Sequence, residues 1–169
     1  MNEDQYRQTY HEVNQQRCAF EKLVLLHYGN CQHAEKLLLA EREAMACNSA
    51  SAQKQCLVLL NDLRQNARFS LQKTQLDGPL PHAQEIKVQA GGIFGLQQSL
   101  KEQDTADINS LMDDSLKFES DNARPIDNVY HVIQQAIQKY GEISQFPFSE
   151  IAKSIIHFQL PKRNKRRKK

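Results

Sequence analysis

The sequence predicts an all-α protein: an N-terminal helical hairpin or three-helix coiled-coil unit, a Gly/Pro linker, a C-terminal helical pair and a disordered basic tail. Three observations predict it. Gln, Glu, Lys, Leu and Ala dominate the chain, and these residues lose little rotamer freedom in a helix. Apolar residues recur at spacings of three and four in several separate stretches. Glycine and proline gather between two such blocks, and the last nine residues are almost all cationic. The expected boundaries are 1–73 for the first unit, 74–103 for the linker, 104–160 for the second unit and 161–169 for the tail.

In the first stretch, 4–28, Tyr6, Tyr10, Val13, Phe20 and Val24 make a stripe of coiled-coil type, widened by Leu23, Leu25 and Leu26. Gly29 offers a left-handed C-cap. A second helix is expected from Cys31 through Ala34, Leu37, Leu38, Glu41 and Met45. The pattern weakens over 48–51, so either a third helix starts at Ser51 or one long helix continues. Cys56, Leu59, Leu60, Leu63 and Ala67 then share one face.

Four of the six glycines and two of the five prolines fall within 74–100, which reads as linker. Ile86 and Val88 alternate with polar residues and allow a short strand. Ile108, Leu111, Met112 and Leu116 suggest a short amphipathic helix. The next helix is expected to open at Pro125-Ile126-Asp127, with Val129, Val132, Ile133, Ala136, Ile137 and Tyr140 on one face and Gly141 as the stop. After Phe146-Pro147-Phe148, Ser149 is the expected N-cap of a last helix carrying Ile151, Ala152, Ile155, Ile156 and Phe158, which Pro161 ends.

The chain has 169 residues, 40% hydrophobic and 25% charged, with no Trp and a mean hydropathy of -0.67. That is the polar side of globular and implies a thin core. No run of about 18 apolar residues exists, so no membrane span is expected. The acidic start Met1-Asn2-Glu3-Asp4 lacks the form of a signal peptide. Cys18, Cys31, Cys47 and Cys56 include no C-x-x-C pair and read as free core thiols of a reducing compartment.

The net charge of +2 hides an uneven distribution. Seven Lys or Arg stand among the last nine residues, which leaves the preceding 160 at -5. Lys162, Arg163, Lys165, Arg166, Arg167, Lys168 and Lys169 form a segment suited to the acidic groove of a nuclear import receptor, or to phosphates of nucleic acid. A nuclear location is expected, with the cytoplasm as the alternative. Anionic membrane is the third reading, but it lacks a second anchor.

Catalytic motifs are missing from the pattern. His27, Cys31 and His33 have no fourth ligand at zinc-like spacing. Gly91-Gly92-Ile93-Phe94-Gly95 lacks the Gly-Lys-Ser/Thr of a phosphate loop. Asp113 and Asp114 diverge by about 100° if helical. No nucleophile elbow surrounds any cysteine. The expectation is a protein without enzymatic activity, cofactor or metal, serving as a helical scaffold or adaptor subunit of a nuclear complex. Phe20, Leu38, Leu60, Ile133, Ile137, Ile155 and Phe158 are the candidate contacts with other protein subunits.

The run Ala34-Glu35-Lys36-Leu37-Leu38-Leu39-Ala40, following a first helix and a turn, resembles the antiparallel Rho-binding hairpin of anillin-type cytokinesis proteins. That resemblance covers about a quarter of the chain. It implies a helical hairpin that binds a small GTPase, an alternative to the scaffold reading.

Overall fold

A computed structural model describes residues 2–71, 80–102 and 124–160. The order of elements is α1 (Glu3–Val13), α2 (Glu21–Leu25), β1 (Ala34–Leu39), β2 (Arg42–Cys47), α3 (Ala50–Ser70), α4 (His82–Ile86), a π-helical turn (Lys87–Gly91), α5 (Gly92–Glu102), α6 (Val129–Tyr140), a 3-10 turn (Ile143–Gln145) and α7 (Phe148–His157). The chain is mostly helical, but a two-stranded antiparallel sheet overturns the all-α expectation.

The long first helix divides. α1 opens with a capping box, in which Asn2 accepts from the Gln5 N–H and the Gln5 side chain accepts from the Asn2 N–H. It stops at Asn14, whose side chain donates to the Met45 carbonyl at 3.1 Å. Residues 16–18 then lie beside β2, with Arg17 bridging Ala46. Backbone bonds to a strand thus replace the helical bonds that the local composition favours. The left-handed residue after α2 is His27 (φ 60°), not Gly29. Gly29 matters for closeness instead: a Cβ there would lie 2.9 Å from a Leu23 methyl and 3.0 Å from the Ile126 Cβ.

The expected second helix is the hairpin β1–β2, with Ala34 opposite Cys47 and Leu39 opposite Arg42. Its residues are good helix formers, so tertiary packing has overruled propensity. Leu39 and Ala44 bury against Tyr10 of α1 in a small cluster of their own, and Leu37 and Tyr6 pack on it. The tight turn places Ala40 at φ 56°. Because Ala34–Leu39 is a strand, the resemblance to a helical hairpin fails at the residues that carry it.

α3 begins at Ala50, and Cys56, Leu59, Leu60, Leu63 and Ala67 turn inward as one face. The greater departure follows it. Within 74–103, residues 82–102 are helical and lie at the centre of the molecule, so neither a linker nor a strand at Ile86 and Val88 describes them. Val88, Ala90, Ile93 and Leu96 are wholly buried. The glycines serve as contact surface, not as breakers. A Cβ on Gly91 would lie 2.8 Å from the Ile155 Cα, and one on Gly95 2.8 Å from the Ser154 Cβ. Lacking Cβ atoms, Gly91 at the end of the π turn and Gly95 in α5 let this segment and α7 meet backbone to backbone. Leu63 of α3 occupies the corresponding space over Gly92.

α6 starts later than Pro125 suggests. Asn128 is its N-cap, accepting from the His131 N–H, and Gly141 (φ 91°) closes it. Ile126, two residues before the cap, is stitched to the loop after α2, where the Asn30 N–H donates to the Ile126 carbonyl and the Ile126 N–H to the Tyr28 carbonyl. The N-cap position of α7 is Pro147, and Ser149 lies within its first turn. One apolar cluster joins Phe20 and Leu23, the α3 face, Ile93 and Leu96, Val129 and Ile133, and Ile151, Ile155 and Phe158, across the boundaries expected at 73 and 103. Among the described residues no helix is long and apolar enough to cross a membrane. The amphipathic helix expected around Ile108–Leu116, the Asp113-Asp114 pair and the basic tail lie outside the described residues.

Candidate functional site

Most of the contact residues chosen from periodicity point inward. Phe20, Leu60, Ile133, Ile155 and Phe158 belong to the core, and Ile137 packs half-buried against it. Leu38 is the exception, 72% exposed on β1. Periodicity selects an apolar face, and the same face serves core or partner equally well. Among the described residues the other exposed large apolar side chains are Val13, Leu26, Leu57, Val58 and Ile156. Leu57 and Val58 are adjacent on the outer side of α3, flanked by the exposed Lys54 and Asn61.

The four cysteines, scattered over 39 positions of sequence, converge on one cleft with His33 and Tyr130. Cys18 arrives from the 16–18 segment beside β2, Cys31 from the loop before β1, Cys47 from the end of β2 and Cys56 from α3. The cleft is narrow, about 10 Å³, room for roughly one water molecule. Cys18 and Cys56 are buried, and burial pushes both thiols up to about 12. They are therefore protonated and inert at neutral pH. Cys31 and Cys47 are half-buried, and the Cys47 thiol donates to the Ser49 carbonyl.

His33 is held by the Asn48 side-chain oxygen at 2.9 Å from Nδ1 and by the Gln32 amide nitrogen at 3.2 Å from Nε2. In that pairing the Nδ1–H donates to the Asn48 oxygen and Nε2 accepts from the Gln32 amide. Among the described residues no three Cys, His, Asp or Glu side chains are grouped to hold a metal ion. No spacing in the sequence signals this convergence, because only the hairpin brings Cys31 and Cys47 into reach of Cys18 and Cys56.

Two buried carboxylates are the other polar centres. Glu21 accepts from the Tyr10 hydroxyl (2.9 Å), the Arg17 guanidinium (2.9 Å) and the Met45 N–H (3.0 Å). It thereby ties α1, the 16–18 segment and β2 to α2. Burial of Tyr10 itself, and after it the neighbouring Glu21 charge, push the Tyr10 hydroxyl far above the usual phenol range. Glu85, 2% exposed, takes a two-pronged bond from Arg64 of α3 and one from the Gln89 amide.

Gln89, on the π turn, accepts in its turn from the N–H groups of Lys22 and Leu23 at 3.1 and 3.3 Å. These are first-turn donors of α2, whose own N-cap residue, Phe20, supplies no side-chain cap. A residue 66 positions away caps the helix instead. Burial also holds the nearby Lys22 ammonium below the ordinary lysine value, and it bonds His82 Nδ1 at 3.0 Å. Both carboxylates have their acceptor sites directed at structural donors, which makes them struts between elements.

The chain matches no family model, no curated protein sequence and no solved structure.

Proposed function

We propose that the protein is a non-enzymatic adaptor subunit of a nuclear multiprotein assembly, binding an amphipathic helix of another subunit. The observation that carries this reading is the Leu57–Val58 pair, exposed side by side on the longest helix while the opposite face of that helix is fully committed to the core. Paired exposed apolar side chains on a rigid element are a natural anchor for a partner helix. The cationic segment 162–169 supplies the nuclear address.

Affinity purification of the tagged chain tests this. A stoichiometric partner should be retained by the wild type and by a chain lacking 162–169. It should be lost at least about tenfold from L57E/V58E, since two hot-spot contacts of this kind exceed 1.4 kcal/mol together. Retention by the double variant contradicts the reading.

A second reading rests on the seven Lys and Arg of the tail alone: direct nucleic-acid binding by phosphate neutralisation. Deletion of 162–169 should then abolish affinity together with its salt dependence. Binding that survives the deletion contradicts it.

A further inference from the structure

Among the described residues only one long edge of the hairpin is closed. β2 pairs with β1 on one side and with residues 16–18 on the other, where the Cys18 N–H donates to the Met45 carbonyl (3.0 Å) and the Cys47 N–H to the Gln16 carbonyl (2.7 Å). Successive residues of an antiparallel strand direct their backbone groups to opposite sides. Met45 and Cys47 turn theirs away from β1, so their cross-strand partners Lys36 and Ala34 turn theirs away from β2, and Leu38 follows the same parity. The Ala34 N–H is taken by the Cys31 carbonyl at 3.1 Å. Lys36 and Leu38 are left with two N–H and two C=O groups on an outer edge, and among the described residues no other element pairs with it.

α1 does not close that edge, because it lies on one face of the sheet, over Leu37, Leu39 and Ala44. Lys36 and Leu38 stand on the opposite face, and Leu38 is the most exposed large apolar side chain described. Natural proteins blunt such edges with short strands, free charged side chains, bulges, prolines or covering elements, and here the one lysine on the edge, Lys36, is engaged by Glu43. Here the strand is regular, carries no proline and is uncovered by the described residues.

We infer that a second copy of this chain pairs its β1 antiparallel to this one, with the two-fold axis at Leu37. The register follows from the free groups. Lys36 of each copy falls opposite Leu38 of the other, and each such pair exchanges both backbone bonds. Leu37 meets its own counterpart at the closer, non-hydrogen-bonded separation. No like charges stand opposite one another, and each Lys36 keeps its ion pair with Glu43 of its own strand pair at 2.5 Å. That self-complementarity singles out a second copy as the occupant. The result is a continuous four-stranded sheet across the two-fold. This surface is separate from the Leu57–Val58 face of α3.

Sedimentation velocity on the full chain over a wide concentration range tests it. A concentration-dependent dimer is expected. Leu38→Lys sets two lysine pairs across the axis, whereas Leu38→Glu sets two Glu–Lys pairs there, and both alter a side chain that the monomer leaves in solvent. Dimerisation by L38E should exceed that of L38K by at least about tenfold. A wild-type chain that stays monomeric throughout, or a dimer weakened equally by both substitutions, overturns the inference.

Discussion

The helical body and the α1–hairpin corner are held by different means. In the body, α3, α5, α6 and α7 bury an extended apolar cluster, and two glycines bring the π turn and α5 onto the α7 backbone. In the corner Tyr10, Leu39 and Ala44 form a small buried cluster of their own, and the cohesion comes largely from bonds converging on Glu21. Packing of the first kind is shared among many side chains, whereas the second depends on one carboxylate. The body should therefore unfold as a unit, and the corner should open first.

The largest effect is expected at the glycine contact. Gly95→Val drives a branched side chain against Ser154 and the Ile151 backbone, and should destabilise by about 3 kcal/mol or more. Thermal unfolding by circular dichroism should show loss of the whole cooperative transition. A mild shift would mean that α5 and α7 are less closely apposed.

Next come the two struts, which sharpen the contrast. Glu85→Ala strands Arg64 and the Gln89 cap within the body and should cost about 3 kcal/mol in the global transition. Glu21→Ala leaves the Met45 N–H and Tyr10 hydroxyl without their partner, a loss of about 2 kcal/mol. Hydrogen exchange should then rise in 3–18 and 34–47 while 50–70 and 129–157 keep their protection. Equal loss of protection in both regions would erase the distinction.

Alkaline pH should act on both regions. The Tyr10 hydroxyl and the Cys18 and Cys56 thiols titrate higher in the fold than in the unfolded chain. The contribution of the two thiols is complete below pH 9 and is lost as pH rises through about 12, and that of Tyr10 is lost in the same direction. Urea midpoints should fall steadily above pH 9, and C18A/C56A should flatten that fall.

The smallest effect lies at the hairpin turn. Ala40→Gly relieves a left-handed alanine and should stabilise the corner by about 1 kcal/mol, read as slower exchange of the β1 and β2 amides.

The faces of α3 and α6 were legible in the sequence because their periodicity matches a buried stripe. The hairpin was not, since Ala34-Glu35-Lys36-Leu37-Leu38-Leu39 is helix-forming by composition and becomes a strand through pairing with β2 and packing of Leu39 on Tyr10. Gly91 and Gly95 carried the opposite ambiguity. Glycine punctuates loops and also permits close helix contact, and only the position of Ile155 and Ser154 tells which. The cap that Gln89 gives α2 and the meeting of four cysteines are long-range arrangements with no local signature. Leu38 was legible as apolar, but its exposure follows from the strand.

The central claim is that 82–102 forms the middle of the molecule. Native-state hydrogen exchange with residue resolution tests it most directly. The account requires the amides of Val88 through Leu96 to be among the slowest in the chain, opening only with global unfolding. Exchange there as fast as in an unprotected linker would contradict it.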